Sequence, residues 1–89
     1  MKRFHVIISG KVQGINFRHY IKAYAQKLKV KGFVRNTEEY VEAIFEGKEN
    51  AVEAMVAYCK KGYLLAKVTN IETKEEKYEG KFEEFSIII

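Results

Sequence analysis

The apolar residues of this chain change their spacing from two to roughly 3.6 and back again, and that alternation restricts the fold more than any other feature. Over residues 3–9, Phe4, Val6 and Ile8 alternate with His5, Ile7 and Ser9, the pattern of a strand buried on one face. Phe17, Tyr20, Ile21, Tyr24, Ala25 and Leu28 then form one stripe of an amphipathic helix. Gly32 opens a short strand over 33–35, residues 36–40 make a polar turn, and 41–46 alternate again, so this pair reads as a hairpin. Val52, Met55, Val56 and Cys59 return to helical spacing, and Gly62 stops that helix. Residues 66–73 read as a strand, 74–81 as a charged turn around Gly80, and 82–89 as the last strand. There is no proline, so every break comes from glycine or a polar turn.

Two split β-α-β units around a central hairpin, in the order β-α-β-β-α-β, predict an α+β ferredoxin-like sandwich. The expected sheet is four-stranded and antiparallel, with two helices on one face. With 89 residues and no linker, repeat or low-complexity tract, residues 1–89 read as a single domain. Apolar residues make up 47% and charged residues 31%, which excludes a disordered chain. No window approaches the about 18 apolar residues of a membrane span. The basic start Met1-Lys2-Arg3 precedes too short an apolar stretch, broken by His5, for an export signal. Cys59 is the only cysteine, so no internal disulfide can form. A reducing, cytoplasmic location is therefore expected. The net charge of +4 suits an anionic partner, and equally serves solubility alone.

This fold hosts unrelated functions, so function must be read from a site. The connection from the first strand to the first helix runs Gly10-Lys11-Val12-Gln13-Gly14-Ile15-Asn16-Phe17-Arg18. Glycines and Asn16 permit positive φ, which lets successive N–H groups converge on an anion. The helix N-terminus adds unpaired donors and partial positive charge. Arg18 can grip two oxygens of one phosphate with its guanidinium fork. The run lacks the Lys-Ser/Thr pair of a P-loop. An ordinary strand-to-helix turn with a surface arginine fits the same spacing.

The run resembles the phosphate-cradling signature of the acylphosphatase family. Gly32-Phe33-Val34-Arg35-Asn36-Thr37 resembles that family's second signature, and Lys61-Gly62 before Ala66-Lys67-Val68, with Phe85-Ser86-Ile87, also fits. The resemblance implies a ferredoxin-like fold and hydrolysis of a small anionic acyl phosphate to a carboxylate and inorganic phosphate. It implies water attack on phosphorus without metal or cofactor. Arg18 and the N–H groups of Gln13, Gly14, Ile15, Asn16, Phe17 and Arg18 would hold the phosphoryl group, and Asn36 would orient the water. The chemistry tolerates so sparse a site, because a carboxylate leaving group (pKa about 4) hardly needs an acid. The chain departs from the family in three places. Its hairpin turn, residues 37–40, is one residue short and lacks glycine. Lys29 stands at a customary glycine helix cap. Tyr63-Leu64-Leu65 replaces customary prolines.

Other residues carry blander expectations. His5 and His19 have no cysteine or carboxylate at ligand spacing, so no metal site is expected. Cys59 falls on an apolar stripe and reads as core. Residues 72–84 mix both charges and read as a solvated turn. The alternative is a non-catalytic ferredoxin-like module that binds a nucleic acid or a protein partner. Lys31-Gly32-Phe33-Val34 faintly echoes an RNA-binding strand, but Arg35-Asn36-Thr37 breaks the pattern. An RNA binder would lay two or three aromatic rings on its open sheet face. Nucleic acid is therefore disfavoured, no membrane partner is expected, and the chain is expected to act as a monomer.

Overall fold

A computed structural model describes residues 1–13, 16–62 and 66–88. The elements are β1 (Lys2–Lys11), α1 (Phe17–Lys27), β2 (Lys31–Asn36), β3 (Val41–Gly47), α2 (Glu49–Lys61), β4 (Lys67–Glu76) and β5 (Phe85–Ile88). The sheet order is β4-β1-β3-β2-β5. The first four strands pair antiparallel, as a ferredoxin-like sandwich requires. The sheet is one strand wider than expected: β5 joins its far edge, parallel to β2. α1 packs against β2 and β5, α2 packs against β1 and β4, and the helices touch each other.

Strand alternation sorts the residues into two faces. Phe4, Val6 and Ile8 stand opposite Phe45, Ala43 and Val41 beneath the helices. With Phe17, Ile21, Ala25, Val52, Met55 and Cys59 from the helices, most of these positions form the core. Phe45 stacks on Phe85 at 5.6 Å between ring centroids, and burying each such ring stabilises the fold by about 1.5–3 kcal/mol. Tyr20, read as part of the helical stripe, is 40% exposed at its edge. Tyr24 stacks instead on Tyr58, at 4.4 Å between centroids. Cys59 is buried, and burial pushes its thiol up to about 12. It is thus an inert core residue.

β4 runs three residues past its expected end because charged residues pair across strands: Arg3 sits opposite Glu76 and donates to its carboxylate at 3.0 Å. β5 starts three residues later than expected because residues 77–84 form a strap. Glu46, 2% exposed, accepts the Glu79 and Gly80 N–H groups and the Arg3 guanidinium. Phe82 then lies edge-on to Phe33. A buried carboxylate persists only when so paired. Lys29 adopts the left-handed conformation expected of a helix cap, with φ 60°. The Val30 N–H donates to Ala25 and the Lys29 N–H to Gln26, which satisfies the last carbonyls of α1 despite the Cβ strain.

The open face carries a second charged cluster. Glu42 accepts from Arg35 Nε at 2.6 Å and lies 2.6 Å from His5 Nε2. Burial opposes ionisation of the Glu42 carboxyl, but the hydrogen bonds from His5 and Arg35 outweigh it and hold the group below its ordinary range. Its contribution to stability is therefore present above about pH 4.3, the unfolded value, and is lost as pH falls through the folded value. Glu42→Gln is expected to lower the denaturant midpoint at pH 7 and to lower it by less at an acid pH below the ordinary carboxylate range. Equal midpoints at both pH values would refute this.

Candidate functional site

At Gly10 a bulge shifts the register of pairing with β4 after Ser9, and pairing then resumes through Lys11. Gly10 has φ 127°, and a Cβ there would lie 2.1 Å from the Lys67 carbonyl oxygen. Only glycine lets β1 lie this close to β4 and still turn into the loop. Val12 and Phe17, both buried, anchor the two ends of that loop in the core. Gly14 and Ile15, expected in the phosphate cradle, lie outside the described residues. Asn16 takes the left-handed conformation expected of it, with φ 64°.

Asn16 is the N-cap of α1, and its side chain makes no capping hydrogen bond. The first helical bonds run from the His19 and Tyr20 N–H groups to the Asn16 carbonyl. The N–H groups of Phe17 and Arg18 come before them, among the donors every helix start leaves outside its own ladder. No acidic side chain occupies that first turn. Arg18, on the same turn, is half-buried. Ion pairs among the described residues involve Lys2, Arg3, His5 and Arg35, and Arg18 enters none of them. Among the described residues, helix-start donors outside the helical ladder and a guanidinium outside every ion pair therefore share one helical turn, an arrangement suited to an oxyanion. His19 beside it is exposed.

Asn36 ends β2 opposite Val41, in the cross-strand row that holds Ile8 and Ile71. That row faces the helices. The Asn36 side-chain oxygen is buried and has no hydrogen-bond partner among the described residues. Native proteins rarely leave a buried polar atom unpaired, and such an atom calls for a ligand or water.

The short turn after Asn36 is well closed. The Thr37 N–H donates to the Tyr40 carbonyl at 2.8 Å. The Thr37 hydroxyl donates to the same carbonyl and accepts the Glu39 and Tyr40 N–H groups. Threonine thus does what the missing glycine would do by conformation. Sequence reasoning valued Gln13 for its backbone N–H alone and missed its side chain, whose Nε2 donates to the carbonyls of Thr37 at 2.5 Å and Tyr40 at 2.9 Å. A glutamine two residues past a strand end gives no local signal of so distant a partner.

Among the described residues no three His, Cys, Asp or Glu side chains gather as a metal would require, and no helix is long and apolar enough to cross a membrane. Among the described residues the open sheet face offers Phe33 as its single aromatic strand position, packed against Phe82, and its bases Arg3, Lys31, Arg35 and Lys74 are matched in number by Glu42, Glu46, Glu72 and Glu76. This is not the multi-ring basic platform of an RNA binder.

A ferredoxin-like sandwich with helix-start donors beside an arginine, and a buried amide oxygen at a strand end, has the layout of a small phosphoryl-handling enzyme. The acylphosphatase family model matches residues 4–87. An acylphosphatase of Roseiflexus sp. is 47% identical over 99% of this chain and 96% of its own length. The crystal structure of acylphosphatase from Bacillus subtilis superposes with a TM-score of 0.94 at 36% identity, covering all of both chains. Full-length HypF, in its phosphate- and nucleotide-bound form, contains a similar unit: TM-score 0.90 and 28% identity over 98% of this chain but 12% of that one. The chain belongs to the acylphosphatase family, and catalysis rather than a non-catalytic binding role is its function.

Proposed function

We propose that residues 1–89 act as a single-domain, monomeric, cytoplasmic acylphosphatase, in which Arg18 and Asn36 are the catalytic side chains. The substrate is a small acyl phosphate. Its phosphoryl oxygens sit on the N–H groups of Gln13, Gly14, Ile15, Asn16, Phe17 and Arg18, with the Arg18 fork closing over them. A water attacks phosphorus, the bond from phosphorus to the acyl oxygen breaks, the carboxylate leaves as an anion, and both protons of the water stay with the inorganic phosphate. No proton need be supplied to so weakly basic a leaving group. The remaining work is positioning and charge stabilisation, which fixed N–H donors and a guanidinium provide.

The observation that carries this reading is the unpartnered, buried oxygen of Asn36. An amide oxygen accepts a hydrogen bond but is no base, so its part is to orient the water. The loop's basic and uncharged residues, with no acid in the first turn of α1, support the anionic substrate. The test is hydrolysis of benzoyl phosphate in the presence of a chelator, by wild type and by Asn36→Ala. Wild type is expected to turn over, and Asn36→Ala to lose about 100-fold in kcat with its denaturation midpoint unchanged or raised, since it removes an unpaired buried group. No wild-type turnover would overturn the activity. Full activity in Asn36→Ala would overturn the role of that residue.

A further inference from the structure

We infer that the Gln13 side chain is a positioning residue, a strut that sets the place of Asn36 relative to the phosphate cradle. The inference rests on the reading of Asn36 as the water's partner. A primary amide has two N–H donors on one nitrogen. Gln13 spends both on the hairpin turn, one on the Thr37 carbonyl and one on the Tyr40 carbonyl. Among the described residues these are the hydrogen bonds that join the loop of residues 10–18 to the turn of residues 37–40. Gln13 stands five residues before Arg18, and the turn begins directly after Asn36. The strut therefore connects the loop that leads to Arg18 with the turn that follows Asn36.

The turn needs such a strut. Residues 37–40 contain two exposed glutamates and no core side chain. The Thr37 N–H and hydroxyl close the turn on itself, and neither group bonds to the loop. The β2–β3 register holds the Asn36 backbone, and the turn beyond could still tilt without the Gln13 amide. A displacement near 1 Å suffices to lower a rate about 100-fold. The cradle itself would survive loss of the amide, since its donors are backbone N–H groups and Arg18.

The kinetics of Gln13→Met test this. That variant keeps the chain length and the backbone donor but removes both side-chain N–H groups. Its kcat for benzoyl phosphate is expected to fall at least tenfold, while Ki for inorganic phosphate stays within about twofold. In an Asn36→Ala background, Gln13→Met is expected to change kcat by less than twofold, because the water it helps to place has lost its partner. Unchanged kcat in Gln13→Met, an equal rise in Ki, or the full tenfold loss repeated in the Asn36→Ala background would each overturn the strut. Full activity of Asn36→Ala would instead overturn the assignment beneath it. If Gln13→Met does not fold, the wild type decides the matter. Scalar couplings from the Gln13 amide nitrogen to the carbonyl carbons of Thr37 and Tyr40 are expected, and rapid solvent exchange of both amide protons would refute the strut.

Discussion

Arg18→Ala is expected to lower kcat/KM for benzoyl phosphate by about 1000-fold or more while leaving the fold intact. A phosphoryl group in transfer spreads negative charge over its oxygens, and an arginine placed on that charge accelerates such reactions by about 10³–10⁵. A 1000-fold loss corresponds to about 4 kcal/mol of transition-state stabilisation. The fold should survive because Arg18 is absent from the ion pairs of the described residues, so truncation leaves no orphaned carboxylate. The buried anchor of the helix start is Phe17, which the substitution does not touch. Arg18→Lys keeps the charge but loses the two-pronged grip and is expected to recover only part of the rate. Steady-state kinetics with matched circular dichroism would check both. Turnover of Arg18→Ala within tenfold of wild type would show that the backbone donors act without the guanidinium.

Gly32→Ala is expected to be the most destabilising small substitution, with a loss on the order of 3 kcal/mol or more. Gly32 sits in β2 opposite Phe45, with φ 138°. An added Cβ would lie 1.9 Å from the Ile44 carbonyl oxygen. The left-handed conformation alone costs a side chain about 1–3 kcal/mol. The backbone collision comes on top, and no flexible side chain can move aside to relieve it. The Gly32 N–H also accepts no compromise in position, because it donates to Glu84 beside the first residue of β5. A domain with about 5–15 kcal/mol in total would lose a large part of its stability. Denaturant titration gives the answer directly, and a midpoint equal to wild type would mean that β2 and β3 separate here more easily than their geometry implies.

Much of this architecture was legible in local spacing. Alternation around Phe4, Val6 and Ile8, and the stripe through Phe17, Ile21 and Ala25, follow from the period of each element and survive in the core. The left-handed Asn16 and Lys29 were equally readable, because each follows from its place at a helix end. β4 was harder: it lies mostly exposed along one edge, with Val68 and Ile71 as the apolar residues packed on the core. No apolar alternation marked its extension to Glu76, which cross-strand charge pairing sustains instead. The strap of residues 77–84 looked like solvated turn because its anchor, Glu46, lies more than thirty residues away.

The loop from Gly10 to Arg18 shows the same division within the site. By itself the sequence determined that this run is a strand-to-helix connection able to take positive φ and gather N–H donors. It also determined that an arginine stands in the first helical turn, since these properties belong to residue type and near neighbours. The tertiary structure alone decided that Asn36 faces the helices with an unpaired oxygen, that Thr37 closes the short turn, and that Gln13 reaches across to hold it. It also decided that β5 runs parallel to β2. Hydrogen bonds between segments far apart in the chain set these features, and their geometry exists only once the sheet has brought the segments together.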